Sequence, residues 1–324
     1  MNCKKPILTV AIATYNRKEF LEECLQHVIS QIEDDVEILV CDNASSDGTY
    51  KLMQEYCNKY RFIRYLKNER NIGPDGNFLR CLREGKGEYI HLLSDDDILM
   101  SNCINEVKKV IANYENLALI YLNISFFKGE FDLKKCKDKV FNINDNILFY
   151  DKNLFLEYIG ILATFVSAMI FNKKYFDLIK DPEKYVGSYI FQSSILMHVI
   201  SENENVLVIS KVCIAGRSGN SGGYNLYQVF GYYWKKVLLE TGIKLGFNKK
   251  SLKKVYSETI KNFLRQWTVF MKINNTKYEN TGYVLIFKET YMYIVAWIYL
   301  YPFIIIPSNI LIKLKKLYKF IKQK

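Results

Sequence analysis

Three consecutive carboxylates, Asp95-Asp96-Asp97, follow directly on the apolar run Tyr89 to Leu93. Adjacent like charges disfavour one another's ionisation unless a cation or hydrogen-bond donors compensate. Hard divalent cations bind such oxygens, and Mg2+ or Mn2+ would take one or two carboxylates, keep water in other positions and bridge to a diphosphate. A solvated turn capping the next helix is the bland alternative, and the position straight after a strand weighs against it. Asp42 closes a second apolar run, Glu37 to Cys41, where nucleotide-binding sheets place a carboxylate to accept hydrogen bonds from a ribose or base edge. Asp42-Asn43 and Asp47-Gly48 also carry the chemistry of an Asx turn, so Asp42 alone does not decide. Beside the acidic cluster it favours a nucleotide diphosphate. Arg217, in the Gly-rich run Gly216 to Tyr224, is the candidate diphosphate clamp, because glycine lets backbone amides approach phosphate and arginine offers planar donors. A surface turn is the competing reading; on the functional one, Ser218 to Gly223 form part of a lid.

The elements that must position these residues are legible in the first 120 positions. Largely apolar runs at Ile7–Ala13, Glu37–Cys41, Phe62–Leu66, Tyr89–Leu93 and Leu117–Leu122 read as strands. Segments with helical spacing separate them: Arg17–Ile32, Thr49–Lys59, Asn77–Glu84 and Ser101–Asn113. This βαβα order predicts an α/β fold, a mainly parallel sheet flanked by helices, with ligands at the carboxyl ends of the strands. The polar clusters fall there: Thr14-Tyr15-Asn16-Arg17 after the first strand, Asp42 to Thr49 after the second, Ser94 to Asp97 after the fourth. From Ile124 to about Tyr150 the pattern weakens and no element is assigned. Strands at Phe165–Phe171 and Val206–Ile209 and a helix at Tyr189–Ile200 follow, and beyond Leu226 the chain reads helical.

Composition removes several function classes. Eight cysteines occur singly, without a CxxC pair, which argues against a disulfide framework and for a reducing cytoplasm. Three histidines, none at ligand spacing to another histidine or to a cysteine, argue against zinc. Lys4 and Lys5 before Ile7–Ala13 resemble a signal sequence, but the run is short and lacks a cleavage site, so it reads as the first strand. The net charge of +11 is concentrated at the C-terminus, where Lys313 to Lys324 hold six lysines and no acid. Nucleic acid is not the expected partner, because the 23 residues Thr290–Ile312 just before this tail carry no charge, enough to reach into a bilayer.

The runs VAIATYNR, VCDNASSDGT and NERNIGPDGNFLRCLREGKGEYIHLLSDDD, in that order, resemble the N-terminal half of family 2 glycosyltransferases, strongly over about the first 125 residues and weakly over the next 100. The SDDD form is similar to an abequosyltransferase-like branch. The resemblance implies a GT-A (Rossmann-like) fold over residues 1–225, with 1–125 as the nucleotide-sugar half and 126–225 as the acceptor half. Residues 226–324 form a helical extension. It further implies that Thr14, Tyr15, Asn16, Arg17 and Asp42 contact the nucleoside, that Asn71, Gly73 and Asn77 close over it, and that a divalent metal sits on the acidic motif. Asp95 then faces the ribose or metal, Asp96 ligates the metal and Asp97 supports them. Many members read Asp-x-Asp-Asp where this chain has Ser94 first, which leaves coordination to Asp95 and Asp96. The family's Glu-Asp pair aligns with Phe191-Gln192. Glutamine accepts no proton at neutral pH, so either Asp181 or Glu183 serves as general base or the base lies elsewhere.

The implied reaction is inverting transfer from a nucleotide diphosphate sugar, with UDP first and CDP or dTDP open, to a glycan or lipid-linked glycan of a bacterial-type surface polysaccharide. A non-catalytic membrane-associated binding module is the alternative. A dinucleotide oxidoreductase would need a Gly-rich turn after the first strand, and Thr14 to Arg17 has none. A sugar-activating nucleotidyltransferase shares the fold class and metal but fits the tail less well. Pro302 and Pro307 disfavour one straight span. The expectation is therefore interfacial or re-entrant docking on the inner face of the cell membrane, with Tyr291, Tyr293, Trp297, Tyr299 and Tyr301 near the headgroups. Core packing or oligomer contact through these helices is the other reading.

Overall fold

The computed structural model describes residues 5–136, 138–219, 224–274 and 282–322. Two compact units divide the chain: Met1–Phe155 with Ala163–Ser221, and Leu156–Leu162 with Gly222–Lys324.

The first unit is built on β1 (Leu8–Thr14), β2 (Val36–Asp42), β3 (Ile63–Lys67) and β4 (Tyr89–Ser94), all parallel, interleaved with α1 (Lys18–Ile29), α2 (Thr49–Lys59) and α3 (Gly73–Glu84). β1 is covered on both faces, as its near-continuous apolar sequence requires of a central parallel strand. On α1 the buried residues Leu21, Cys24, Leu25 and Val28 follow the helical period. α3 begins at Gly73 with φ 77°, where a side chain would be strained, and Pro74 sits in its first turn. The register pairs Thr14 with Asp42 and Ala13 with Ser94. Three strands thus end level, and the polar loops that follow them start from one edge.

Beyond β4 the sheet becomes mixed. It continues through β5 (Ile98–Leu99), the helix α4 (Cys103–Asn113), β6 (Leu119–Lys128) and β7 (Ile147–Phe149), then β8 (Met169–Asn172) and β9 (Val206–Ser218), in the order β3-β2-β1-β4-β8-β6-β9-β5 with β7 on β9. β8 runs antiparallel to both β4 and β6. It is shorter than the expected strand at Phe165–Phe171, because a 3-10 turn occupies Val166–Ala168. β6 extends into the stretch where periodicity faded. The reason is Asn123, at a shift in the β6–β9 register, whose buried amide donates to the carbonyls of Phe141 and Ser210 at 2.8 Å each; a polar residue inside a strand disguises it. β9 likewise runs past the expected end at Ile209 and takes in Gly216, Arg217 and Ser218, so this part of the Gly-rich run is sheet. Residues 220–223 of that run lie outside the described residues.

The second unit is helical from Leu226. Trp234 and Tyr256 anchor its core, with Trp234 Nε1 donating to Thr259 Oγ1 (3.1 Å) and the Tyr256 hydroxyl to the Gly231 carbonyl (2.7 Å). The uncharged run is broken into the helices Ile294–Tyr299 and Tyr301–Ile305 and the start of Ser308–Lys322. Buried Lys272 donates from Nζ to the carbonyls of Ile304 and Ile306 (2.6 Å each) beside Pro307. Among the described residues no helix is long and apolar enough to cross a membrane.

Gly87 tests how tightly β1 and β4 are drawn together. A Cβ there would stand 2.5 Å from Thr9 N and 2.7 Å from Tyr89 O, and backbone cannot yield as a side chain can. Gly87→Ala should lower unfolding free energy by about 1–3 kcal/mol, read from urea denaturation; an unchanged midpoint would contradict the packing described.

Candidate active site

At the shared edge, the loop after β1 is locked to the loop after β2. Asn16 adopts a left-handed conformation (φ 51°) that asparagine tolerates. Its N–H donates to Ser45 Oγ and its Oδ1 accepts from Ser46 N, both at 2.8 Å. The next residue, Arg17, reaches the acidic cluster: its NH1 lies 3.3 Å from Asp95 Oδ1 and 3.1 Å from Asp96 Oδ2. Ser94, which stands where an aspartate is common in the related motif, donates from Oγ to Asp96 Oδ1 at 2.6 Å and so orients that carboxylate.

The three aspartates differ in environment. Burial, reinforced by Asp96, pushes the Asp95 carboxyl up to about 7, against the pull of Arg17. Burial and Asp96 raise Asp97 in the same direction, while Ser167 and the Arg217 amide oppose them. For Arg17, burial works against the charge, but Asp95 and Asp96 outweigh it and hold the guanidinium above its ordinary value. Asp95 Oδ2 and the hydroxyl of Thr14, both buried, complete no hydrogen bond of ordinary geometry. Two carboxylates converging on one cationic atom, with a further buried oxygen unsatisfied, form a donor set that suits Mg2+ or Mn2+ completed by phosphate and water. Among the described residues no group of three or more His, Cys, Asp or Glu side chains forms a closed metal cage.

Asp97, expected to support the metal ligands, is engaged by the protein on both oxygens. Its oxygens accept from Ser167 Oγ (2.6 Å) and Arg217 N (2.9 Å), so it ties β4 to β9 and to the turn before β8. Arg217, expected as a diphosphate clamp, is engaged by the protein as well. The side chain is only 6% exposed and ion-paired with Glu23. It donates to the carbonyls of Asp96 and Gly129 and lies over the rings of Phe20 (4.9 Å) and Phe127 (4.6 Å). An arginine so engaged braces the acidic turn from behind rather than waiting in a loop for phosphate.

Asp42 is fully buried and its two oxygens accept from Ser45 N (2.8 Å) and the Tyr65 hydroxyl (2.5 Å), so it shapes the donor-side loop from beneath instead of presenting a free carboxylate. Asn71, Gly73 and Asn77 join Asn43 and Asn68 in an amide network. Asn43 Nδ2 donates to Asn71 Oδ1 and the Gly73 carbonyl, and Asn77 Nδ2 donates to the Cys41 carbonyl. Tyr15 stands exposed on the same edge.

Asp181 and Glu183 are not brought to the acidic cluster. Both are exposed at a 3-10 turn, and Glu183 pairs with Arg83 in the last turn of α3, whereas the site lies at that helix's first turn. Gln192 sits at the start of α5 (Phe191–Glu202); its amide donates to the Thr164 carbonyl at 2.7 Å and its buried Oε1 is unsatisfied. Sequence reasoning missed Ser167 and Asp75. The Ser167 hydroxyl also accepts from Ser94 N, and its carbonyl meets His91 Nε2 at 2.8 Å. Asp75, buried in the first turn of α3, accepts from Gly187 N and Tyr189 N at 2.8 Å each. A lone serine in an apolar run gave no signal, and Asp75 was read as part of a motif without a role.

The family model described as "Glycosyl transferase family 2" matches residues 9–179, over half of the chain. Abequosyltransferase RfbV of Salmonella typhimurium is 28% identical over 227 residues, covering 66% of this chain and 67% of that protein. GalNAc(5)-diNAcBac-PP-undecaprenol beta-1,3-glucosyltransferase of Campylobacter jejuni is 24% identical over 334 aligned positions, 96% and 97% of the two. Among solved structures, Staphylococcus aureus TarS 1-349 in complex with UDP-GlcNAc superposes with TM-score 0.61 at 14% identity, over 84% of this chain and 76% of that one. The mannosyltransferase PcManGT of Pyrobaculum calidifontis, in complex with GDP-Man and Mn2+, gives 0.50 at 14% identity, over 91% and 87%. The fold is GT-A, a mixed, mostly parallel sheet flanked by helices, with further helices at the C-terminus.

The raised Asp95 carboxyl makes stability pH-dependent. Between its ordinary value near 4 and about 7 the folded protein holds a proton that the unfolded chain has released, so stability falls as pH rises through that window and levels off above it. Asp95→Asn should flatten this slope in EDTA, measured by urea denaturation between pH 4.5 and 7.5. Equal slopes for variant and wild type would contradict the assignment.

Proposed function

The chain belongs to glycosyltransferase family 2, and on that premise we propose that it transfers a sugar, with inversion, from a nucleotide diphosphate sugar to a lipid-linked glycan at the inner face of a bacterial-type cell membrane. The observation that carries the reading is the convergence of Asp95 and Asp96 on one cationic position at the carboxyl edge of the sheet, next to exposed Tyr15.

Asp95 and Asp96 would hold Mn2+ or Mg2+, which when bound supplies a positive charge against the departing diphosphate. The solved neighbour with GDP-Man and Mn2+ supports this choice. Tyr15 offers an aromatic face to the base, and the loops after β1 and β2, tied together through Asn16, Ser45 and Ser46, border the nucleoside. Beneath it, Asp42 and the Asn43–Asn71 network keep that loop in one shape, so that little ordering cost falls on donor binding. Ser94 keeps Asp96 turned toward the ion. Gln192 Oε1 would accept a hydrogen bond from the acceptor hydroxyl and orient it, leaving the proton to a different group. UDP is the first choice of nucleotide, in keeping with the TarS complex, with CDP and dTDP next.

The acceptor class rests on the Campylobacter relative, whose name specifies a diphosphate-undecaprenol-linked glycan and which matches almost the whole chain. The second unit fits a membrane-surface role: Val284, Met292, Ile294, Trp297, Ile298 and Ile305 are exposed apolar side chains, and the exposed Lys313 and Lys315 follow. Apolar anchors with adjoining lysines favour anionic lipid.

Nucleotide release should occur from one donor of a UDP-, CDP-, GDP- and dTDP-sugar panel, stop in EDTA and fall about 100-fold or more in Asp96→Ala, the scale of losing a group that stabilises the transition state. No release from any donor, with no nucleotide binding, would move the reading to a non-catalytic binding module. In a separate measurement, flotation with vesicles of phosphatidylglycerol and phosphatidylcholine should retain the protein, and Trp297→Ser with Ile298→Ser should release most of it. Equal flotation of both proteins would remove these residues from the membrane contact.

A further inference from the structure

Arg17 holds a peculiar position in this site. It does not simply border the acidic cluster; it occupies the contact that a metal would need. One atom, NH1, sits within 3.3 Å of Asp95 Oδ1 and 3.1 Å of Asp96 Oδ2, oxygens of the two residues that suit a hard cation. A guanidinium cannot be discharged near neutral pH, so ion and arginine compete for the same charge. The carboxylates are fixed, with side chains 3% and 12% exposed, whereas Arg17 is 35% exposed on a loop beyond the end of β1. Asp95 Oδ2 completes no hydrogen bond of ordinary geometry with the guanidinium in place, although the Thr14 hydroxyl is near enough to favour its charged form, so arginine balances the charge without using all the oxygens. Arg217, the other arginine at this turn, is committed to Glu23 and to backbone carbonyls and is not part of this exchange.

We propose that Arg17 is the resident cation of the metal-free site and is exchanged for the divalent ion, the released guanidinium then turning to the donor's diphosphate. The statement deepens the metal-bearing reading of Asp95 and Asp96 and rests on it. Before exchange, the Arg17 guanidinium faces the Asp95 and Asp96 carboxylates. After exchange, the ion neutralises both carboxylates, and Arg17 is free to add a positive charge where the diphosphate brings negative ones. Ion and nucleotide therefore bind cooperatively: each makes the arginine's displacement more favourable for the other.

The test separates the two steps by sign. Mn2+ binding is measured alone by electron paramagnetic resonance, and then nucleoside diphosphate binding at saturating Mn2+ by calorimetry, using whichever of UDP, CDP, GDP and dTDP binds wild type most tightly. Arg17→Gln, which keeps an amide donor and loses the charge, should bind Mn2+ alone about 5- to 10-fold more tightly and the nucleotide about 10-fold more weakly, the scale of one charged hydrogen bond. Unchanged or weaker Mn2+ binding in this variant would overturn the exchange. If Arg17→Gln does not fold, wild type decides: Mn2+ should accelerate phenylglyoxal modification of Arg17, mapped by peptide mass, and protection or no change would count against the proposal. Wild type that fails to bind Mn2+ just as Asp96→Asn does would instead bring down the metal reading itself, a result distinct from failure of the exchange alone.

Discussion

Two carboxyl groups buried at the end of β4 set the terms for everything around them. Asp95 and Asp97 are each nearly inaccessible, and an unpaired charge in such surroundings is costly enough that it is either neutralised or protonated. The protein supplies a different answer to each. Asp97 receives a serine hydroxyl and a backbone amide, which makes it a structural clasp between β4, β9 and the turn before β8. Asp95 receives the partly exposed guanidinium of Arg17, and its Oδ2 completes no hydrogen bond of ordinary geometry. Two residues of one type, two positions apart in the turn after β4, thus take opposite roles because they meet different neighbours.

The scaffold follows from the same need. β1, β2 and β4 end level because their pairing register is fixed by continuous apolar strands, and the loops they release can therefore be cross-tied by Asn16, Ser45 and Ser46. Asp42, the Asn43–Asn71 network and Arg217 also spend their polar groups on the protein itself. A site pre-shaped in this way commits little of its binding energy to ordering its own loops.

In the second unit, prolines decide what an apolar run becomes. Pro302 starts one short helix and Pro307 precedes another, and Lys272 takes up carbonyls freed between them. The outcome is a series of separate helices in place of one long apolar one, with Ile294, Trp297, Ile298 and Ile305 exposed.

The sequence by itself determined the βαβα frame, because the alternation of apolar strands and helical spacing is local and strong, and it located the acidic cluster, because three carboxylates after an apolar strand are conspicuous in one dimension. It also led to the family, through motifs in a fixed order. It did not reveal that β6 and β9 are long, since Asn123, Ser210 and Lys211 interrupt their apolar pattern. Nor did it separate Asp97 from Asp95, or show that Arg217 is a brace while Arg17 faces the acids. Those outcomes depend on partners far along the chain: Ser167 for Asp97, Glu23 and Phe127 for Arg217, Asp95 and Asp96 for Arg17. The type of a polar residue is written locally, but its role depends on which groups share its burial, and only the tertiary structure decides which groups those are.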